Sequence, residues 1–164
     1  MIVLIRVDER LIHGEIVYSW KNAVRYDSLV VVSDEVAGNE MRKTALRIGC
    51  PQDVKVAIRS MADAIKMLND PRLSKYRTMV LCEDTVTALR VYEGIAERPE
   101  FNVGYMKPRE GRQELTKGVH VTREEAEAIR RVKDMGVKIN LQRVPTAPAA
   151  SYEKAVEKLK FQNG

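Results

Sequence analysis

Residue types capable of chemistry are densest in one short segment, Val7-Asp8-Glu9-Arg10-Leu11-Ile12-His13-Gly14-Glu15. It holds acidic side chains, an arginine and one of the two histidines of the chain. Gly14 stands at a predicted helix start, where free N–H groups and the positive end of the dipole attract an anion. A residue without a Cβ lets that anion come close to the backbone. Arg10 offers a fork of donors matched to phosphate oxygens. Asp8 can fix Arg10, or hold one imidazole nitrogen and leave the other as nucleophile. Together these are the parts that a phosphohistidine at His13 needs. The bland alternative is a partly buried polar histidine beside an Asp8–Arg10 surface pair worth at most about 1 kcal/mol. His120 falls inside a predicted strand and reads as structural.

The elements around this segment alternate. Short runs rich in Val and Ile at 2–7, 29–33, 54–58, 79–82, 102–104, 119–121 and 139–144 read as strands, apolar enough for a sheet covered on both faces. Between them lie helical stretches at 14–24, 39–48, 60–68, 84–96 and 122–135, with a last one at about 151–159. The fifth opens on Thr122 and Glu125, a capping box, and stops at Gly136. Strand then helix, repeated, predicts an α/β fold with a doubly wound, mostly parallel central sheet. In such a sheet ligands sit beyond the carboxyl ends of the strands. That rule selects 8–14, 33–38, 83–85 and 105–111. The basic, irregular stretch 107–118, with Pro108 and Gly111, reads as an exposed functional loop.

The 164 residues fit one domain spanning 1–164. A start that is charged by Arg6 does not read as a secretory signal, and no apolar run is long enough to span a bilayer. Cys50 and Cys82 form neither a disulfide framework nor a metal-type pair, so a reducing cytoplasm is the simplest setting. No motif calls for a cofactor or a metal. The net charge of +5 favours anionic partners. With aromatics at 5% and no basic stripe interleaved with them, nucleic acid is not the expected one.

The segment from Arg6 to Gly14 closely resembles the phosphorylation loop of mannose/fructose/sorbose-type IIB components of the bacterial sugar phosphotransferase system (PTS). The likeness runs on collinearly through Trp20, Val32–Asn39, Met41–Leu46 with Pro51, Asn102-Val103-Gly104, Leu115-Thr116-Lys117, and Gly136 to Pro145. It implies a three-layer fold with helices on both faces of the sheet, and a phosphotransferase subunit working from an N-phosphohistidine to a sugar. His13 would accept the phosphoryl group from a IIA donor and pass it to a sugar bound by membrane IIC and IID components. The protein would be cytoplasmic, at the inner face of the plasma membrane when engaged with them. Arg10, Gly14 and Asp8 would hold the phosphate. Arg6, Glu15, Asp34, Tyr105 and Met106 would stand behind it or at the pocket rim. The basic side chains Lys107, Arg109 and Arg112 read either as an ordinary solvated loop or as a docking face for an acidic IIA surface. The sugar, the oligomeric state (a homodimer is one option) and the phosphorylated nitrogen stay open.

Three positions depart from the family pattern. Glu15 replaces a common glutamine, Glu83 and Asp84 make the fourth strand end more acidic, and Tyr105 replaces the second glycine of an Asn-x-Gly-Gly-Met pattern. They motivate a rival reading, a regulatory or scaffold paralogue that no longer transfers phosphate. A histidine phosphatase is the other rival. Its Arg-His-Gly-Glu motif is only partly met by Ile12-His13-Gly14-Glu15, and His120 would have to act as its second histidine.

Overall fold

The computed structural model describes residues 1–161; the last three positions of the 1–164 domain reading lie outside the described residues. Six strands form one sheet in the order β3-β2-β4-β1-β5-β8, with every pairing between them parallel. They are β1 (Ile2–Asp8), β2 (Ser28–Val32), β3 (Lys55–Arg59), β4 (Thr78–Cys82), β5 (Phe101–Tyr105) and β8 (Ile139–Leu141). The doubly wound expectation holds. The chain builds outward from β1 to β3, returns to β4, then crosses β1 to lay down β5. β1 is therefore central, flanked by β4 and β5, and its carboxyl end opens where the direction of winding reverses.

Helices cover both faces because successive strand residues point to opposite sides. On one side, Leu4, Leu29, Val31, Met79 and Leu81 meet Ile16, Val17 and Trp20 of α1 and Val36 of α2 (Asp34–Ala37). α1 is a π-helical stretch, Glu15–Trp20, running into α-helical Lys21–Val24. On the other side, Ile5, Val7, Val30, Val32, Val80 and Cys82 pack against α4 (Met61–Leu68), α5 (Thr85–Gly94), α6 (Arg123–Asp134) and α7 (Tyr152–Glu157). α3 (Glu40–Ile48) lies largely in solvent, touching the core through Leu46. The capping box of α6 is present: Thr122 and Glu125 each accept from the other's backbone N–H.

Two expectations need correction. Val119–Val121 is a strand (β7), but it is not part of the parallel sheet. It pairs antiparallel with β6 (Gln113–Thr116) in a ribbon of its own, docked on the end of β5 where His120 donates its N–H to the Met106 carbonyl. The stretch 107–118 is accordingly only partly irregular. It contains β6, and Leu115 is fully buried.

Gly104 on β5 is required by a side chain from the neighbouring strand. A Cβ there would lie 2.1 Å from the guanidinium of Arg6, which is itself completely buried. Gly104→Ala is expected to cost about 1–3 kcal/mol through overpacking. Urea unfolding with an unchanged midpoint would show that Arg6 does not depend on this opening.

Candidate functional site

The site is built from β1 outward. Arg6 and Asp8 share one face of the strand, and both are fully buried. An arginine in that position needs its charge matched. Arg6 donates to Asp8 Oδ2 (3.0 Å), Asn102 Oδ1 (2.6 Å) and the Gln142 carbonyl (3.3 Å), and lies 5.0 Å from the centre of the Trp20 ring. Burial pulls its pKa below the ordinary guanidinium value, and Asp8 opposes that shift. Parallel pairing sets Arg6 beside Asn102 and Asp8 beside Tyr105.

After Asp8 the chain turns sharply. Leu11 N–H donates to the Asp8 carbonyl (2.9 Å), and Leu11 adopts left-handed backbone (φ 59°) with its side chain held in the core. The cost of that conformation, about 1–2 kcal/mol, is offset by packing. The turn delivers His13 to the rim, its side chain 17% exposed. His13 Nε2 is 2.7 Å from Asp8 Oδ2, while Nδ1 accepts from the Glu15 backbone N–H (3.3 Å). The His13 carbonyl accepts from the amides of Ile16 and Val17, so the preceding N–H groups of Gly14 and Glu15 have no intrahelical acceptor. Nothing lies within 4 Å of where a Gly14 Cβ would stand, leaving room over the first amides.

Arg10 folds back over this turn. Its Nε donates to Asp8 Oδ1 (3.0 Å), and its terminal nitrogen reaches both Asp8 Oδ2 (3.0 Å) and Glu15 Oε2 (2.9 Å). Asp8 thus gathers Arg6, Arg10 and His13. Burial alone would push its carboxyl up, but the hydrogen bonds from His13 and Arg10 and the charge of Arg6 hold it far below the usual carboxylate range. A carboxylate with an imidazole N–H aimed at it fixes the tautomer: Nε2 carries the proton and Nδ1 keeps the lone pair. Three potential ligand atoms, from Asp8, His13 and Glu15, lie within 4.8 Å of one another. Their carboxylates are already paired with Arg6, Arg10 and Arg143. Three guanidiniums against two carboxylates suit an anion better than a cation.

The structure sorts the residues singled out from sequence. Asp8, Arg10, His13, Gly14, Glu15, Arg6 and Tyr105 come together. Arg10 stacks on the Tyr105 ring at 4.3 Å, with Arg143 at 5.6 Å from the same ring. Met106 does not reach the rim: it is fully buried in the core, because the β6–β7 ribbon covers it. Asp34 belongs to another cleft, where it accepts from the Met61 N–H (2.8 Å) at the start of α4. Arg112 is not a docking residue. Its side chain is 1% exposed, paired with Glu9 and Glu125. Lys107 and Arg109 remain exposed. Glu83 hydrogen-bonds Ser33, and Asp84 caps α5 by accepting from the Thr87 N–H (2.7 Å), so these acidic departures serve the framework. His120 lies against the Met106 carbonyl (3.4 Å) in the ribbon, while the His13 ring is held by Asp8 and the Glu15 N–H.

Sequence reading gave no role to Asn102, Gly104, Trp20 or Arg143. Trp20 Nε1 donates to the Arg143 carbonyl (3.0 Å), and Arg143 Nε donates to Glu15 Oε1 (3.2 Å). The signal for Arg143 was its place just beyond the carboxyl end of β8, a position to which the strand-end rule applies as well.

Comparison with known proteins gives a consistent likeness. The family described as PTS system sorbose subfamily IIB component matches residues 2–164. The chain is 34% identical over 151 residues to the PTS system fructose-specific EIIB component of Bacillus subtilis, covering 92% of this chain and 93% of that one. It is 30% identical over 159 residues to the PTS system mannose-specific EIIAB component of Escherichia coli, covering 97% of this chain and 49% of that longer protein. The crystal structure of the IIBSor domain of the sorbose permease from Klebsiella pneumoniae superposes with a TM-score of 0.90 at 26% identity, covering 99% of each chain.

Proposed function

We propose that this chain, which belongs to the PTS sorbose-subfamily IIB components, carries a phosphoryl group on Nδ1 of His13. As a single IIB domain it takes that group from a IIA phosphohistidine and yields it to a sugar handled by membrane IIC and IID components. Among the described residues no helix is long and apolar enough to cross a membrane, so the membrane step falls to those partners. The Escherichia coli relative, whose name joins A and B, supports a IIA donor.

The single observation that carries this reading is the 2.7 Å contact between His13 Nε2 and the Asp8 carboxylate. With the proton held at Nε2, the Nδ1 lone pair attacks phosphorus in line. The donor N–P bond breaks and its electron pair stays on the donor imidazole, while the Nδ1–P bond forms. No oxidant, reductant or outside proton is needed. As the His13 ring gains positive character, Asp8 stabilises it. The phosphoryl oxygens meet Arg10, the Gly14 amide, the Glu15 amide once Nδ1 gives it up on bonding to phosphorus, and the open space over Gly14. This chemistry rests on positioning and charge compensation rather than acid–base catalysis. In onward transfer a sugar hydroxyl oxygen attacks phosphorus, the Nδ1–P bond breaks with its electron pair returning to Nδ1, and the hydroxyl proton passes to a base beside the sugar on the membrane components.

The test is direct. The protein is incubated with phosphorylated IIA, the mass gain is located by fragmentation, and the phosphorylated nitrogen is assigned by nitrogen-15 and phosphorus-31 NMR. The expected result is one phosphoryl group on His13 Nδ1. Label on another residue, or on Nε2, overturns the reading.

A further inference from the structure

Glu15 occupies an unexpected place for a negative charge. Its carboxylate bridges the two rim arginines, Oε2 to Arg10 (2.9 Å) and Oε1 to Arg143 (3.2 Å), with Arg6 at 4.0 Å. A carboxylate oxygen of Glu15 also lies within 4.8 Å of a ring nitrogen of His13. Its own backbone N–H is the group facing Nδ1. The side chain is only 25% exposed, and the two guanidiniums it links flank the ring of Tyr105 from Arg10 and Arg143. A phosphoryl group on Nδ1 would carry its oxygens into the same few ångströms and seek the same donors.

We propose that Glu15 is a resident counter-anion that competes with the phosphoryl group for Arg10 and Arg143, and so sets how strongly His13 holds phosphate. The proposal rests on the reading of His13 as the carrier. In the unphosphorylated protein Glu15 neutralises the arginines and keeps the site closed to other anions. When the Nδ1–P bond forms, the carboxylate must leave Arg143 and Arg10, since one set of donors cannot serve two anions and the like charges repel. The bound phosphoryl group is therefore held less tightly than at a site with a neutral residue in this position. Glu15 lowers the yield of the first transfer and raises the driving force of the second by the same factor. The overall equilibrium from IIA to sugar is unchanged, because both half-reactions share the phosphorylated intermediate.

Glu15→Gln keeps the shape and removes the charge. With phosphorylated IIA in fixed ratio, the equilibrium constant for phosphorylating His13 is expected to rise about tenfold, the scale of one like charge nearby in a half-buried site. The affinity for inorganic phosphate, read from amide shifts at Gly14 and Glu15, is expected to rise by a similar factor. An ion pair that served only folding would not move either quantity upward. A second measurement uses the native protein: the Glu15 carboxylate and Arg143 Nε–H resonances must shift when His13 is phosphorylated. Equal phosphorylation of His13 in native and variant protein, or unmoved Glu15 and Arg143 resonances in the phosphorylated native protein, overturns this proposal alone. Absence of label on His13 in both proteins overturns the carrier reading and this proposal with it.

Discussion

Asp8→Asn is expected to slow phosphoryl transfer to His13 by about ten-thousandfold, the scale seen when a buried carboxylate that fixes an imidazole tautomer is replaced by its amide. The asparagine amide would aim an N–H at Nε2 and drive the ring proton to Nδ1, removing the lone pair that attacks phosphorus. The same change leaves the fully buried Arg6 without its anion, a loss of about 3–5 kcal/mol. Transfer is therefore to be measured by rapid quench at a temperature where urea titration shows the variant folded. A variant that transfers within a few-fold of the native rate would show that the 2.7 Å contact does not set the tautomer. The pH dependence has a definite sign. The Asp8 carboxyl is depressed in the folded protein, so its contribution is fully present above the unfolded carboxylate range, about pH 4. It is lost progressively as pH falls from there toward the folded value. The stability gap between native and variant should narrow by about 1.4 kcal/mol per pH unit below about pH 4.

What could be read from sequence followed from contiguity. Asp8, Arg10, His13 and Gly14 lie within one loop, and the strand-end rule points at that loop without any pairing being known. The partners of Arg6 could not be read this way. Asn102 and Gln142 reach it through parallel pairing of strands far apart in sequence. The need for Gly104 appears only once a guanidinium crosses β5. A short β-branched run marks Val119–Val121 as a strand, but composition carries no record of which sheet a strand joins. β6 escaped notice because Gln113–Thr116 offers one apolar residue, Leu115, among polar ones. The resemblance sets Met106 at the pocket rim, whereas pairing with Val119 of the ribbon, far along the chain, buries it.

Arg112 is the sharpest case of charge misread as surface, and it yields the other large effect. A basic residue between Pro108, Gly111 and Gly118 reads as solvated. Its counter-charges are instead Glu9 on the loop after β1 and Glu125 at the start of α6, and it also donates to the Lys107 carbonyl (2.8 Å). This one guanidinium ties the ribbon approach to the loop that holds His13. Burial would raise the Glu125 carboxyl, but the bonds from Arg112 and Thr122 hold it below its ordinary value. Arg112→Met strands both glutamates and is expected to cost about 3–5 kcal/mol, a fall in Tm of roughly 6–20 °C for a chain of this size. The loss should shrink as pH drops below the ordinary glutamate value, about 4.3, where the native pair also fails. Arg109→Glu makes the contrast, since Arg109 is 56% exposed and 3.9 Å from Glu125. It should leave Tm within a degree or two yet slow encounter with an acidic IIA surface, by a factor that fades as ionic strength rises. If Arg112→Met melts like the native protein while Arg109→Glu unfolds it, buried pairing and docking have been assigned to the wrong arginines.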